Sequence, residues 1–454
     1  MESIKQKAIN HLRIAIRNDH EHLPSILSLC EILIDSESYD EAQKILKTAL
    51  KRSSEKSVLY YQQAKLSFKI LNYEKAISYV DKAINIEPNN PASYQLAQEI
   101  LFANNKQYLA IPYLEKLTDL NPLDGRAYFT LAQLLNEGDE WKRKKILLEI
   151  SIDLLPDNVA PKVNLALLIM QINSDIIDQN FDDKPNLDEA EKLFESVIEI
   201  KPTFGIPWYF LGKLNLLKKK SRTAQKKFEE AHKFAETKGK SAYQLGLLGL
   251  QNNNTKKAEK YFYESIKFNV RKSDCLYNIS KIQTSKKEFS KSLKLLNDAL
   301  QEVREEENYK YEKSKKYSES LNFKLARKYL KEAFTKKELQ SKIIIKICQT
   351  NKVLQKKQNI EDLLTKAIHL NPSYFEPYFE LGLHLVQEKR IDEAKLKFTL
   401  ACNCKWDHLE SHFELGKLEL KTENISEATM HFEIVLDLNN FHQSALNLLN
   451  EIRS

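Results

Sequence analysis

The sequence predicts an all-α solenoid of antiparallel helix pairs, and three observations predict it. Glycine occurs 9 times and proline 12 times in 454 residues, so tight turns and bulges are few and long helices are favoured. Apolar and small residues recur at helical spacing, as in Ile4, Ala8, Leu12 and Ala15. A set of small and large residues also returns every 34 positions. Gly212 and Gly246, Ala224 and Ala258, and Phe228 and Phe262 form one such set. Gly382 and Gly416, Ala394 and Ala428, and Phe398 and Phe432 form another. A fixed period of this length marks a stack of like modules rather than separate globular domains.

Taken in order, residues 1–22 read as an orphan second helix, with Ala8, Leu12 and Ala15 in that helix's register. Twelve modules follow over 23–442, starting at 23, 57, 91, 125, 159, 205, 239, 273, 307, 341, 375 and 409. Only the module at 159 breaks the step. There Ala166 is followed by Ala190, an insertion of 12 residues near Asn173–Lys184. That insertion is expected as an acidic loop. Its carboxylates lack the spacing and the glycine of a calcium-binding EF-hand loop. The module at 307 has a very polar first helix, "NYKYEKSKKYSES", yet Ala326, Leu330 and Ala333 keep its second helix in register. Residues 443–454 read as a capping helix.

Packing explains the residue types. The eighth position of each module faces the partner helix at close approach and is small in every module except one, where it is Gln98. The twentieth is the matching small site, alanine in nine modules and Ser292 in a tenth, with Lys144 and Ile360 departing. The twenty-fourth is a large knob, Phe194, Phe228, Phe262, Phe398 and Phe432, or else leucine or valine. Pro88, Pro122, Pro156, Pro202 and Pro372 are placed to end second helices. One module cannot bury its apolar face alone, so neighbours bury it together.

The segment "PWYFLGKLNLLKKKSRTAQKKFEEA", Pro207 to Ala231, carries W-x2-L-G with a later A-x3-F. With proline near the module end, the pattern resembles the tetratricopeptide repeat, and the resemblance extends over essentially the whole chain. It implies a right-handed superhelix whose first helices line a concave face. It also implies a non-enzymatic role in binding other proteins, in complex assembly or as an adaptor.

Charge divides the chain into three. Residues 1–204 hold 24 lysines and arginines against 31 aspartates and glutamates, residues 205–370 hold 38 against 18, and residues 371–454 hold 8 against 14. The five modules over 205–374 are thus strongly basic, between acidic modules at 23–204 and 375–442. Lysine outnumbers arginine 59 to 11, which suits diffuse attraction to carboxylates or phosphates better than bidentate reading of them.

In the resembled family, positions two, five, six and nine of the first helix point at ligands. Here position five carries four successive tyrosines in the basic segment, Tyr209, Tyr243, Tyr277 and Tyr311. Around them fall Lys213, Lys240, Gln244, Asn278, Lys281, Lys315, Lys342 and Lys346. A tyrosine ladder flanked by lysines suits a groove for an acidic extended segment or helix of a partner protein. Aromatic residues here also serve packing between modules. The family's clamp for chaperone carboxyl termini is not matched. Its nearest window, Tyr277, Lys281, Glu312, Lys342 and Lys346, places Glu312 where asparagine belongs. The asparagine ladder of glycosyltransferase superhelices is met only at Asn164 and Asn278. The competing readings are nucleic-acid binding by the basic middle and an accessory subunit to an enzyme on another chain.

No catalytic signature is present: no P-loop, no GxSxG, no HExxH and no dinucleotide fingerprint. No enzyme activity and no cofactor or metal is expected. Cys402, Cys404, His408 and His412 offer four soft ligands, but the cysteines are closer than zinc sites commonly use. They read as unliganded residues around a turn. Five scattered cysteines argue against a disulfide framework. No apolar run reaches membrane-span length, so a soluble, cytoplasmic location is expected.

Overall fold

Most first helices stop where the backbone turns left-handed at the fifteenth residue of the module. The structure is a computed structural model, and it describes residues 2–135, 140–175, 186–319, 323–355 and 359–453. At Glu37, Leu71, Asn105, Asn253, Lys287, Lys389 and Glu423, φ lies between 56° and 63°. The following N–H then reaches back five residues to close the helix end, as in Ser38 to the Leu33 carbonyl at 2.8 Å and Asn254 to that of Gly249 at 2.7 Å. Second helices end two residues before Pro88, Pro122, Pro156, Pro202 and Pro372, because proline lacks the N–H that would continue them.

The chain divides into two compact units. The first comprises Met1–Lys218 with Glu319–Lys324. It opens with α1 (Glu2–Asn18) and continues as hairpins: α2 (Leu23–Asp35) with α3 (Tyr39–Arg52), and α4 (Lys56–Lys69) with α5 (Tyr73–Ile86). Next come α6 (Pro91–Ala103) with α7 (Ile111–Leu120), α8 (Gly125–Leu134) with α9 (Trp141–Leu154), and α10 (Val159–Asp175) with α11 (Leu187–Ile200). It closes on α12 (Gly205–Leu217). A 3-10 turn at Gln107–Ala110 precedes α7, and Pro112 sits in the first turn of that helix, where its missing N–H costs nothing. Of the acidic insertion expected at 173–184, residues 176–184 lie outside the described residues.

The second unit comprises Lys219–Ser318 and Leu325–Ser454. It holds α13 (Ser221–Ala231), α14 (Ala235–Gln251) with α15 (Thr255–Lys267), α16 (Lys272–Ser285), α17 (Phe289–Glu319), α18 (Phe323–Val353) and α19 (Ile360–Leu370). The hairpins α20 (Phe375–Gln387) with α21 (Ile391–Cys404) and α22 (Leu409–Lys421) with α23 (Ile425–Leu438) follow, then α24 (Gln443–Arg453). Ala445 and Leu449 of α24 are buried in one cluster with Phe432. The described residues contain no strand.

Three hairpins, those of Phe262, Phe398 and Phe432, are locked by a ring against a bare backbone. Phe194, Phe262, Phe398 and Phe432 are completely buried. A methyl group on Gly246, Gly382 or Gly416 would lie 2.7–2.8 Å from the ring of Phe262, Phe398 or Phe432. The eighth position is therefore small because the knob at the twenty-fourth lies on it. The twentieth position meets the eleventh instead: Gly249 lies against Ala258. Where the knob shrinks to Val80, Leu148 or Leu364, the eighth position takes a larger Ala64, Ala132 or Cys348.

The module expected over 307–340 does not stack. Helices α17 and α18 each run 31 residues without a break at 306–307 or 340–341. Neither junction holds proline, glycine or a capping asparagine. "EVREEENYKYEK" and "FTKKELQSKIII" are built largely of residues compatible with a continuous helix. The core passes directly from the module at 273 to that at 341: Leu276, Leu296, Leu300 and Val303 share one cluster with Ile343, Ile344, Ile347 and Cys348. Leu330, in the knob register, is 52% exposed. The distal halves of α17 and α18 pair with each other as an antiparallel arm.

Two stability predictions follow from this geometry. Gly382→Ala should destabilise the C-terminal hairpins by about 1–3 kcal/mol through overpacking. Phe398→Leu in the same chain should recover part of that cost, measured as a double-mutant cycle on urea midpoints. At the exposed left-handed turn, Leu71→Gly should stabilise its hairpin by about 0.5–1 kcal/mol, because glycine adopts φ > 0 without the Cβ penalty. Slower amide exchange in α4 and α5 would be the readout.

Candidate protein-interaction surface

Adjacent first helices are tied side to side by their own side chains. Gln62 Nε2 of α4 donates to Glu31 of α2 at 3.2 Å, and Gln349 Nε2 of α18 donates to Glu380 of α20 at 2.6 Å. Lys352 adds an ion pair to the same Glu380 at 3.0 Å. Such bonds tie neighbouring first helices within each unit, and most of the expected binding positions lie on first helices.

In the second unit that row divides into packing and presenting residues. Tyr243 is buried on Phe262, with ring centroids 6.1 Å apart. The Arg271 guanidinium covers its ring at 5.1 Å, and burial, with Asp274 adding to it, pushes its hydroxyl up to about 12. Tyr277 is half-buried, and burial followed by the Glu376 charge raises its pKa. Lys281 lies exposed over that ring at 5.6 Å. Lys342 lies over Tyr374 at 5.8 Å. The Tyr374 hydroxyl is raised first by burial, then by its hydrogen bond to Glu376. Lys346 donates to Gln349 at 2.7 Å. Lys240 is exposed and Gln244 half-buried on α14.

The remaining expected residues lie elsewhere or are already engaged. Asn278 spends its amide on the Asp274 carbonyl at 2.9 Å, within its own helix. Tyr311 and Lys315 are exposed on the arm, where Tyr311 is 52% exposed. Tyr209 and Lys213 belong to α12 in the first unit, with Tyr209 edge-on to Phe210 at 5.2 Å.

Sequence counting missed how much of the basic charge is neutralised. Lys218 pairs with Asp188 and Glu191 at 2.5 and 2.6 Å. Lys286 pairs with Glu259 at 2.6 Å, Lys310 with Glu332 at 2.6 Å, and Lys272 with Glu302. Lys336 pairs with Asp274 and Glu306 at 3.0 and 2.5 Å. By contrast, Lys240, Lys281, Lys342 and Lys346 make no ion pair among the described residues.

A tetratricopeptide-repeat family model matches residues 58–90, spanning the hairpin α4–α5. That hairpin has the same closed turn and register as those built around Phe262, Phe398 and Phe432, with Val80 on Ala64 in place of the ring on glycine. The chain is a tetratricopeptide-repeat protein.

Several solved structures are similar to this repeat protein. MamA residues 41–end from Desulfovibrio magneticus is 21% identical with a TM-score of 0.32, over 41% of this chain and 97% of that one. YrrB, described as a TPR protein with an unusual peptide-binding site, is 17% identical with a TM-score of 0.34, over 42% and 92%. The Cut9–Hcn1 hetero-tetramer of APC/C is 12% identical with a TM-score of 0.40, over 100% and 94%. No curated protein sequence matches.

The four soft ligands around 402–412 have separate tasks in the repeat protein. Cys402 is buried and its thiol pushed up to about 11 by that burial, while Cys404 faces the Pro372 carbonyl at 3.6 Å. His408 caps α22, its Nδ1 2.6 Å from the Ser411 hydroxyl. His412 Nε2 donates to the Trp406 carbonyl at 2.8 Å, which leaves its Nδ1 to accept from His431 Nδ1 at 3.1 Å. Among the described residues no helix is long and apolar enough to cross a membrane.

The histidines make the C-terminal hairpins sensitive to acid. Burial lowers the pKa of both His408 and His431, so the fold favours their neutral forms. The stabilisation is complete above the ordinary imidazole value of about 6.5 and is lost as pH falls through the lowered folded values. Protection of the amides in α22–α24, taken relative to the intrinsic exchange rate at each pH, should fall between about pH 7 and pH 5, and His431→Gln should flatten the change.

Proposed function

We propose that this repeat protein is a non-enzymatic scaffold that holds an acidic segment of a partner protein along the first helices α14, α16, α18 and α20. The observation that carries the reading is the unpaired set Lys240, Lys281, Lys342 and Lys346. In a segment where many lysines face a carboxylate of their own chain, these four do not, and two of them rest on tyrosine rings. A lysine over a ring keeps its charge available while its stem is already ordered. An incoming carboxylate then gains attraction without displacing a carboxylate of the protein's own.

The test uses the full chain with a photo-crosslinker at Gln244, followed by identification of the captured segment. An Asp- and Glu-rich segment is expected. Lys281→Glu, Lys342→Glu and Lys346→Glu together should weaken its binding by about tenfold or more near 0.1 M salt. They should also flatten the salt dependence. Affinity unchanged by the triple substitution would end this reading.

A further inference from the structure

The arm has a coiled-coil register that the repeat period concealed. On α17 the inward positions are Val303, Glu307, Lys310, Ser314 and Tyr317, alternately four and three apart. On α18 they are Ala326, Tyr329, Ala333, Lys336 and Gln340. All ten are buried or half-buried, as knobs in a two-helix seam must be. Contacts across the seam fix its antiparallel sense. Gln340 donates to Glu307 at 2.9 Å, Lys310 meets Glu332 at 2.6 Å, and the rings of Tyr317 and Tyr329 stack at 5.4 Å and 1°.

The two flanks of this seam differ. On one, Glu306 and Glu332 are neutralised by Lys336 and Lys310, and Lys313 covers the rings of Tyr309 and Tyr329 at 5.3 and 4.8 Å. On the other, the register places Arg304, Tyr311 and Lys315 of α17 beside Arg327, Leu330, Phe334 and Lys337 of α18. Lys337 is paired with Glu307 of the seam at 3.8 Å. Apart from Glu307 this flank holds no aspartate or glutamate among the described residues, which leaves Arg304, Lys315 and Arg327 as its cations without an ion pair there. Tyr311, Leu330 and Phe334 are 52%, 52% and 57% exposed. Leu330 and Phe334, one turn apart, form an apolar stripe, and the other exposed residues over 327–337 are polar or charged.

We propose that this flank is a docking surface for an acidic amphipathic helix of a partner protein, which lies along the arm as a third helix. The proposal is separate from the groove of the stacked repeats. A two-helix coiled coil offers a third helix a ready groove, lined here by an apolar stripe with cations at its edges. Charge complementarity selects acid over base. Leu330 and Phe334 select an amphipathic helix over a nucleic acid, which would engage the cations and Tyr311 and leave the apolar stripe in water.

The experiment titrates the full chain with a labelled synthetic helix about three heptads long. The helix has leucine at two positions of each heptad and glutamate at the others. A lysine counterpart and a scrambled acidic peptide serve as comparisons. Only the acidic helix should bind well. Leu330→Ser with Phe334→Ser should weaken it about tenfold or more, as should Lys315→Glu with Arg327→Glu. The groove pair Lys281→Glu with Lys346→Glu should leave it unchanged. The altered arm residues are exposed, and amide exchange over 289–306 and 341–353 checks that the stem is intact. Loss in the groove variant with none in the arm variants overturns the arm proposal and leaves the groove reading standing. Equal binding of the scrambled peptide overturns it too. So does capture of a single-stranded oligonucleotide or anionic vesicle that displaces the acidic helix and is indifferent to Leu330→Ser with Phe334→Ser.

Discussion

A phenyl ring resting on bare backbone is the contact on which the strongest hairpins depend. Phe262 on Gly246, Phe398 on Gly382 and Phe432 on Gly416 leave no room for a single extra carbon. Burying such a ring contributes roughly 2–3 kcal/mol, and its shape fixes how closely the helices approach. That approach sets where each module presents its outer face to the next. Ring size and backbone clearance are coupled within a module, so Phe398 and Gly382 act as one unit. The Val80 and Leu364 modules satisfy the same constraint with Ala64 and Cys348 in place of glycine.

The arm shows what happens when that contact is absent but the period persists. The inserted segment is one module long, so every downstream position keeps its number modulo 34 and the sequence reads as unbroken. Ala326, Leu330 and Ala333 imitate a second helix. The physical distinction lies in the junctions. A stacked module needs a helix stop on each side, and Pro372 and the left-handed Lys389 with its closing bond supply such stops elsewhere. Glu305–Glu307 and Leu339–Ser341 supply none, so the helices run on and carry the segment out of the stack. Its seam, built from Glu307, Lys310, Ser314 and Gln340, is polar. The apolar residue at the knob position is left facing water.

Much of the fold was legible because steric rules leave strong marks. Glycine at position eight, phenylalanine at twenty-four and proline after the second helix each report one contact or one missing donor. The first-helix row was legible for the same reason, since helical spacing fixes which residues share a face. Which of those residues were already engaged was not legible. Asn278 binds its own helix and Tyr243 disappears under Arg271. Both depend on rotamers and on neighbours that sequence spacing does not specify. The left-handed turns were also hidden, because Leu71, Lys287 and Glu423 carry no residue-type mark for φ > 0.

Charge shows the same division between count and arrangement. The basic middle of the chain is real as a sum, yet Lys218, Lys286, Lys310 and Lys336 are answered by carboxylates, several of them 27–30 residues away in the sequence. Such pairs between neighbouring helices set register more than they add stability. What remains for a partner is the residue after this internal cancellation, and it falls in two places of different character. On the stacked first helices it is isolated lysines, two of them on tyrosine rings. On the arm it is a cationic flank with an apolar stripe. The first suits an extended acidic chain, whose carboxylates can be met one at a time. The second suits a helix, whose apolar face must be covered along its length. A net charge averaged over the segment conceals this difference, because attraction at contact range is decided by which cations lack a partner.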